Sequence, residues 1–173
     1  MPSSSETVKG SNPWGTIGIS SNSLMISKDN YKAMQTAINN FYSECEDAVT
    51  RVNDEIPSSS ETAVISDISR ASFSHPGNLN LTFGNFVDAS TFNSFIDRIY
   101  NYNPSAKSNM VTLLKKYTPT NKNSITTNNT KVYKDDTIVA AEIFNQLGMD
   151  AAGMRATFTA SWTKTDIEPE GDE

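Results

Sequence analysis

Between Tyr31 and Val52 the apolar positions fall at Tyr31, Met34, Ile38, Phe41, Cys45, Ala48 and Val52, in alternating steps of three and four. That spacing puts all of them on one face of an α-helix wound against another helix. It predicts a long helix over 28–56, about 40 Å in length at the usual rise per residue. Ser27 or Asp29 can cap its start, and Pro57 followed by Ser58-Ser59-Ser60 ends it, because serine-rich sequence after a proline does not propagate a helix. A second pattern, of period two, runs through Ala156, Phe158, Ala160 and Trp162, alternating with Arg155, Thr157, Thr159, Ser161 and Thr163. One apolar and one Thr-rich face is the signature of a strand at the boundary of a core.

Shorter signals fill the space between. Leu79, Leu81 and Phe83 alternate with Asn80 and Thr82 after the turn His75-Pro76-Gly77-Asn78, which predicts a strand; Ala63-Val64-Ile65 is a weaker candidate for another. Phe92, Phe95, Ile96 and Ile99 make the stripe of a second helix, opened by Asp88 or Ser90. Asn103-Pro104 stops it and begins a third, with Met110, Leu113, Leu114 and Tyr117 inward. Asp135-Asp136 opens a fourth, where the helix dipole favours negative charge; Val139, Ala140, Ile143, Phe144 and Leu147 are its buried side and Gly148 its C-terminal cap.

The fold class expected is therefore α+β: about four helices, the first dominant, with a small antiparallel sheet from segments near Ile17, Leu81 and Phe158. Residues 1–13, Ser-rich and without periodicity, read as a flexible N-terminal arm. Residues 14–165 read as a single domain with a polar loop over 118–131, and 166–173 as an acidic tail.

Composition narrows the function classes. An apolar fraction of 36% is low for a fully globular chain of 173 residues, so part of the length is expected to be exposed or held by partners. A formal charge of −6, with Lys115-Lys116 the one adjacent basic pair, argues against nucleic acid, which needs a basic surface to displace counterions. No apolar run is long enough to span a bilayer. The N-terminus, Met1-Pro2-Ser3-Ser4-Ser5-Glu6, lacks the basic and apolar regions of a signal peptide, so synthesis in a cytoplasm is expected, with incorporation into a virion as one destination.

Candidate chemistry is sparse. Cys45 and His75 are the sole candidates for a nucleophile and its base, but Cys45 sits on the core stripe, where a thiol is an inert packing group. Glu44, Asp47 and Asp54 share no calcium-loop spacing, and Arg51 lies among them. Tyr100 and Tyr102 fit half-buried core positions better than a base- or sugar-binding edge. No catalytic, metal or cofactor residues are assigned. The residues expected to matter are those of an interface: Tyr31, Met34, Ile38, Phe41, Cys45, Val52, Phe158 and Trp162.

The stretch Ile26–Ile56 is similar to the first helix of the small helical-hairpin proteins exported by type VII secretion. The Trp-x-Gly turn that follows that helix in the family is replaced here by Pro57-Ser58-Ser59-Ser60, and Trp14-Gly15 precedes the helix. Three readings follow. The leading one is a structural or assembly protein of a phage or other viral particle, working through contacts with other subunits, a homo-oligomer among them. The others are a helical substrate or chaperone of a type VII-like secretion system, and a small acidic immunity-type inhibitor.

Overall fold

Three-four spacing of apolar residues yields a helix only if the stripe finds cover, and here it does. In a computed structural model, which describes residues 1–14, 28–82, 89–117 and 141–168, strand β1 (Ser3–Lys9) is followed by helix α1 (Lys28–Asp54), strand β2 (Ala63–Ser69) and helix α2 (Ala89–Asn101). A single 3-10 turn (Pro104–Ala106) leads into α3 (Lys107–Tyr117), and α4 (Ala141–Ala152) and strand β3 (Arg155–Asp166) complete the order. Among the described residues the architecture is α+β, with four α-helices and one three-stranded antiparallel sheet ordered β1-β3-β2. The expected features at Ile17, Phe83 and Asp88, the loop over 118–131, the helix start at Asp135-Asp136 with Val139 and Ala140, and the tail beyond Glu168 lie outside the described residues.

The chain forms two compact units, and their boundary falls inside α1 between Phe41 and Tyr42. The helical unit comprises Lys9–Phe41 and Gly77–Arg155. Its core joins Met34 and Ile38 of α1 to Phe92, Phe95, Ile96 and Ile99 of α2, Met110 and Leu114 of α3, and Ile143, Phe144 and Leu147 of α4, all almost fully buried. Aromatic rings key the layers together. Tyr31 stacks on Phe95 at 5.9 Å between centroids and meets Phe144 edge-on at 5.0 Å, while Trp14 lies flat on Phe144 at 4.2 Å. Gly148 is interior to α4 rather than its cap. A Cβ there would come within 2.6 Å of the Trp14 indole nitrogen, so the glycine admits the ring. The helix ends at Ala152, and the Gly153 N–H bonds back to the carbonyls of Met149 and Asp150.

The sheet unit comprises Met1–Val8, Tyr42–Pro76 and the chain from Ala156 on. Tyr42, Cys45, Ala48 and Val52 of α1 and Phe158, Ala160 and Trp162 of β3 are its buried apolar set, with Val8 and Ala63 added by the flanking strands. Phe73 packs edge-on against Phe158 at 5.7 Å.

Three expectations are corrected. The N-terminal arm is a strand: Ser3–Lys9 pairs along β3, with Trp162 N donating to Pro2 O and Gly10 N to Met154 O, a constant antiparallel register. Val8 is the one apolar residue in that strand, so its identity comes from the partner and not from its own pattern. In place of one domain over 14–165 the chain divides into the two units just described.

The third correction concerns Leu79 and Leu81, which are extended but join no strand. Leu79 is buried and Asn80 exposed, so the period-two alternation holds. The ladder is replaced by side-chain amides of α1. The Asn39 carboxamide accepts from Leu79 N (2.8 Å) and donates to Leu79 O (2.9 Å), and Gln35 Oε1 accepts from Leu81 N (2.8 Å). In the sheet unit Asn53 clamps Ala71 in the same manner, accepting from its N–H (2.7 Å) and donating to its carbonyl (3.0 Å). A carboxamide has the donor and acceptor geometry of a peptide group, so it satisfies an extended backbone that lacks a strand partner.

Candidate functional site

β3 carries hydroxyls at every second position: Thr157, Thr159, Ser161, Thr163 and Thr165. Its other face buries Phe158, Ala160 and Trp162, so the hydroxyls must point outward. On β1, Ser4, Glu6 and Val8 are the less exposed set, which leaves Ser3, Ser5 and Thr7 on that outer face. Ser5 and Thr159 hydroxyls lie 3.0 Å apart and those of Thr7 and Thr157 2.8 Å apart, each pair hydrogen-bonded across the strands. β2 extends the face through Ser66, opposite Thr163, and Ser69, opposite Ser161. The result is a hydroxyl-rich face over three strands, with Lys9 of β1 and Arg155 of β3 at one end and Val64, opposite Thr165, on β2.

The two edges of this sheet differ. Along β2 the register shifts between Ser66 and Ser69, where Asp67 takes a left-handed backbone (φ 52°), the mark of a β-bulge. Ile167 N donates to Thr62 O, so up to Ser66, before the bulge, even-numbered residues of β2 turn their main-chain groups to β3 and odd-numbered ones outward. Two of those outward groups are already taken: Ile65 N donates to Ser59 Oγ (2.9 Å) and Ala63 O accepts from Ser60 N (2.8 Å). The turn after α1 thus folds over the β2 edge and closes it, although Val64 and Ile68 are 44% and 43% exposed.

Along β1 the register is unbroken from Pro2 to Gly10. Bonds at Pro2 and Gly10 put the even-numbered residues against β3, so the N–H and C=O groups of Ser3, Ser5, Thr7 and Lys9 project from the opposite side. Among the described residues no second strand flanks β1. The strand is anchored from beneath: Ser4 Oγ donates to the Val52 carbonyl in the last turn of α1 (2.6 Å), and Arg51 Nε donates to both Glu6 oxygens at 3.0 Å.

The sequence-derived interface residues go elsewhere. Tyr31, Met34, Ile38, Phe41, Cys45 and Val52 are at most 3% exposed, and Phe158 and Trp162 are 8% exposed, within a single chain. None is available to another protein, which corrects their assignment as an interface. At the head of the α1 stripe Tyr31 packs on Phe95 of α2 and Phe144 of α4, and the rest of the stripe is buried within its own unit. β3 is the central strand and cannot add to a neighbour's sheet. The edge strand β1 was the one overlooked, and its sequence, SSSETVK with one apolar residue, carries no period-two pattern that marks it as a strand.

The remaining reactive groups are committed to packing. Burial, with a smaller contribution from Glu44, pushes the Cys45 thiol up to about 11, so it stays protonated and unreactive at neutral pH. His75 sits 3.5 Å from Glu46 and against the rings of Tyr42 and Phe73. Glu44, Asp47 and Asp54 are solvent-exposed on α1, and among the described residues no group of three His, Cys, Asp or Glu is placed to hold a metal.

Tyr100 is buried rather than half-buried, and its hydroxyl donates to Asp150 Oδ2. Gln146 Nε2 donates to the other carboxylate oxygen at 2.8 Å, and Asn103 holds the Asp150 carbonyl at 2.9 Å. Burial raises the Asp150 carboxyl above its ordinary range against the pull of its two donors, and raises the Tyr100 hydroxyl as well. Every oxygen of that carboxylate is used, so the group locks α2 to α4. Among the described residues no helix is long and apolar enough to cross a membrane. Comparison with known proteins finds no matching family model, no matching curated protein and no matching solved structure.

Proposed function

We propose that this chain is a structural or assembly protein that acts through protein–protein contacts, as a component of a phage or other viral particle. One observation carries the reading: β1 presents a regular edge beside a hydroxyl-rich face, while the apolar stripes of α1, α2 and α4 are spent on the chain's own core. A protein built this way meets its neighbours through main-chain groups and hydroxyls. Such contacts add a strand to a sheet irrespective of side-chain identity, and suit a subunit that must join others in a fixed orientation. The inert Cys45 and the internally bonded Tyr100–Asp150 pair agree with a scaffold role.

Light scattering of the purified protein over a concentration series tests the reading. The expected result is a mass that rises above 19.0 kDa with concentration. A mass of one chain throughout, with no protein retained on the immobilised chain, would count decisively against it.

A further inference from the structure

Strand addition needs a partner strand, and the residues of β1 define one. We infer that β1 pairs with β1 of a second copy of this chain, antiparallel about a two-fold axis at Ser5, joining two sheets into one of six strands. The inference rests on the assembly reading above and names its partner.

The argument is one of self-complementarity. In an antiparallel pair the outward-facing residues of β1 hydrogen-bond to one another, so Ser3, Ser5, Thr7 and Lys9 set the possible registers. With Ser5 opposite Ser5 of the second copy, Ser3 meets Thr7 and Thr7 meets Ser3, so hydroxyl stands against hydroxyl at these three positions, and Lys9 falls opposite Met1. This is the chemistry by which β1 already joins β3, through Ser5 with Thr159 and Thr7 with Thr157. On the inner face Ser4 then meets Glu6, and no like charges oppose each other. Sliding the pair so that Ser5 meets Thr7 would set Glu6 against Glu6, and directly opposed like charges disfavour a cross-strand pair.

A two-fold perpendicular to the sheet keeps both hydroxyl faces on the same side, so the face doubles in area and continues across the junction. The β2 edge is ill suited to this: Ser59 and Ser60 occupy two of its outward groups and the bulge at Asp67 breaks its register. Two such closed edges would bound the six-stranded sheet, so assembly through β1 stops at two chains. A closed, isologous pair is the expected product.

The full chain with Ser5→Cys provides the test. Residues directly opposite in a hydrogen-bonded antiparallel pair have Cα atoms about 5.5 Å apart, inside the roughly 4.4–6.8 Å range a disulfide spans. Cys45 is fully buried and does not compete. On mild oxidation Ser5→Cys is expected to give a disulfide-linked dimer in higher yield than Thr165→Cys, whose position is exposed on the same face away from the axis. Ser5→Pro removes an N–H that the β1–β3 ladder does not use, as proline at a strand edge permits. It is expected to leave the circular dichroism spectrum unchanged and to sediment as one chain where wild type sediments as two. Should wild type assemble while Ser5→Cys cross-links no better than Thr165→Cys and folded Ser5→Pro assembles equally, pairing through β1 is overturned and the assembly reading stands. If wild type is a single chain at every concentration, the β1 pairing is overturned outright, and retention of another protein on the immobilised chain then decides the assembly reading.

Discussion

The helical unit and the sheet unit both spend side-chain amides on extended backbone, but they differ in where the rest of their polar groups go. In the first, Tyr100, Gln146 and Asp150 are drawn inside and saturate one another, and Asn39 and Gln35 spend their amides on the backbone of Leu79 and Leu81. In the second, hydroxyls are lined up on the outer face and one strand keeps a row of main-chain groups at the sheet margin. A buried polar group must be paired or it costs stability, whereas one at a sheet edge is held by water until a strand replaces it. The helical unit thus closes its buried polar groups on one another, and the sheet unit leaves a row of main-chain groups at its margin.

The most damaging substitution should fall in the completed core. Phe95→Ala removes a ring fully buried beside Tyr31, and a loss of about 3–5 kcal/mol is expected from urea denaturation, enough to unfold much of the protein at 37 °C. Tyr100→Phe probes the internal pairing directly. At neutral pH it should cost about 1–3 kcal/mol, because it strips a donor from a buried carboxylate. The pH dependence follows from the raised Asp150 carboxyl. The folded state holds that proton more readily than the unfolded chain, so ionised Asp150 is a cost that disappears as pH falls through its folded value. The Tyr100 hydrogen bond lowers that value, so the gap between Tyr100→Phe and wild type narrows on acidification; thermal melts across the acid range measure it.

Smaller effects belong to the sheet unit. Asn53→Ala frees both backbone groups of Ala71 and should cost about 1–2 kcal/mol, visible as faster amide exchange at Ala71. Ser59→Ala opens the β2 edge by releasing Ile65 N–H into water. Its expected cost is under about 1 kcal/mol, with faster exchange confined to Ile65. Ser5→Pro should be nearly silent in stability and visible in assembly alone. If instead it unfolds the sheet unit, β1 is not oriented as described.

What was legible in the chain tracks how far each element specifies itself. α1 was readable to within two residues of its end because its stripe from Tyr31 to Val52 repeats at helical spacing, and β3 because Phe158, Ala160 and Trp162 alternate with threonine. β1 was not, since a run of serines and threonines with one valine becomes a strand only beside β3. Leu79 and Leu81 showed an extended chain with one buried side, which is what exists. The pattern says nothing of whether a strand or an amide completes the backbone. The signal for the amide lay in α1: Asn39 and Asn53 are poor choices for a helix unless their side chains have work elsewhere. The interface assignment failed for a related reason, because periodicity identifies what must be covered and is silent on whether the cover is another chain.

Amide hydrogen exchange along β1, read residue by residue at increasing protein concentration, tests the account most directly. Ser4, Glu6 and Val8 should be protected throughout, being bonded to β3, while Ser3, Ser5, Thr7 and Lys9 should exchange rapidly when dilute and slow as the protein is concentrated. Uniformly rapid exchange across all seven residues, or outward amides indifferent to concentration, would contradict it.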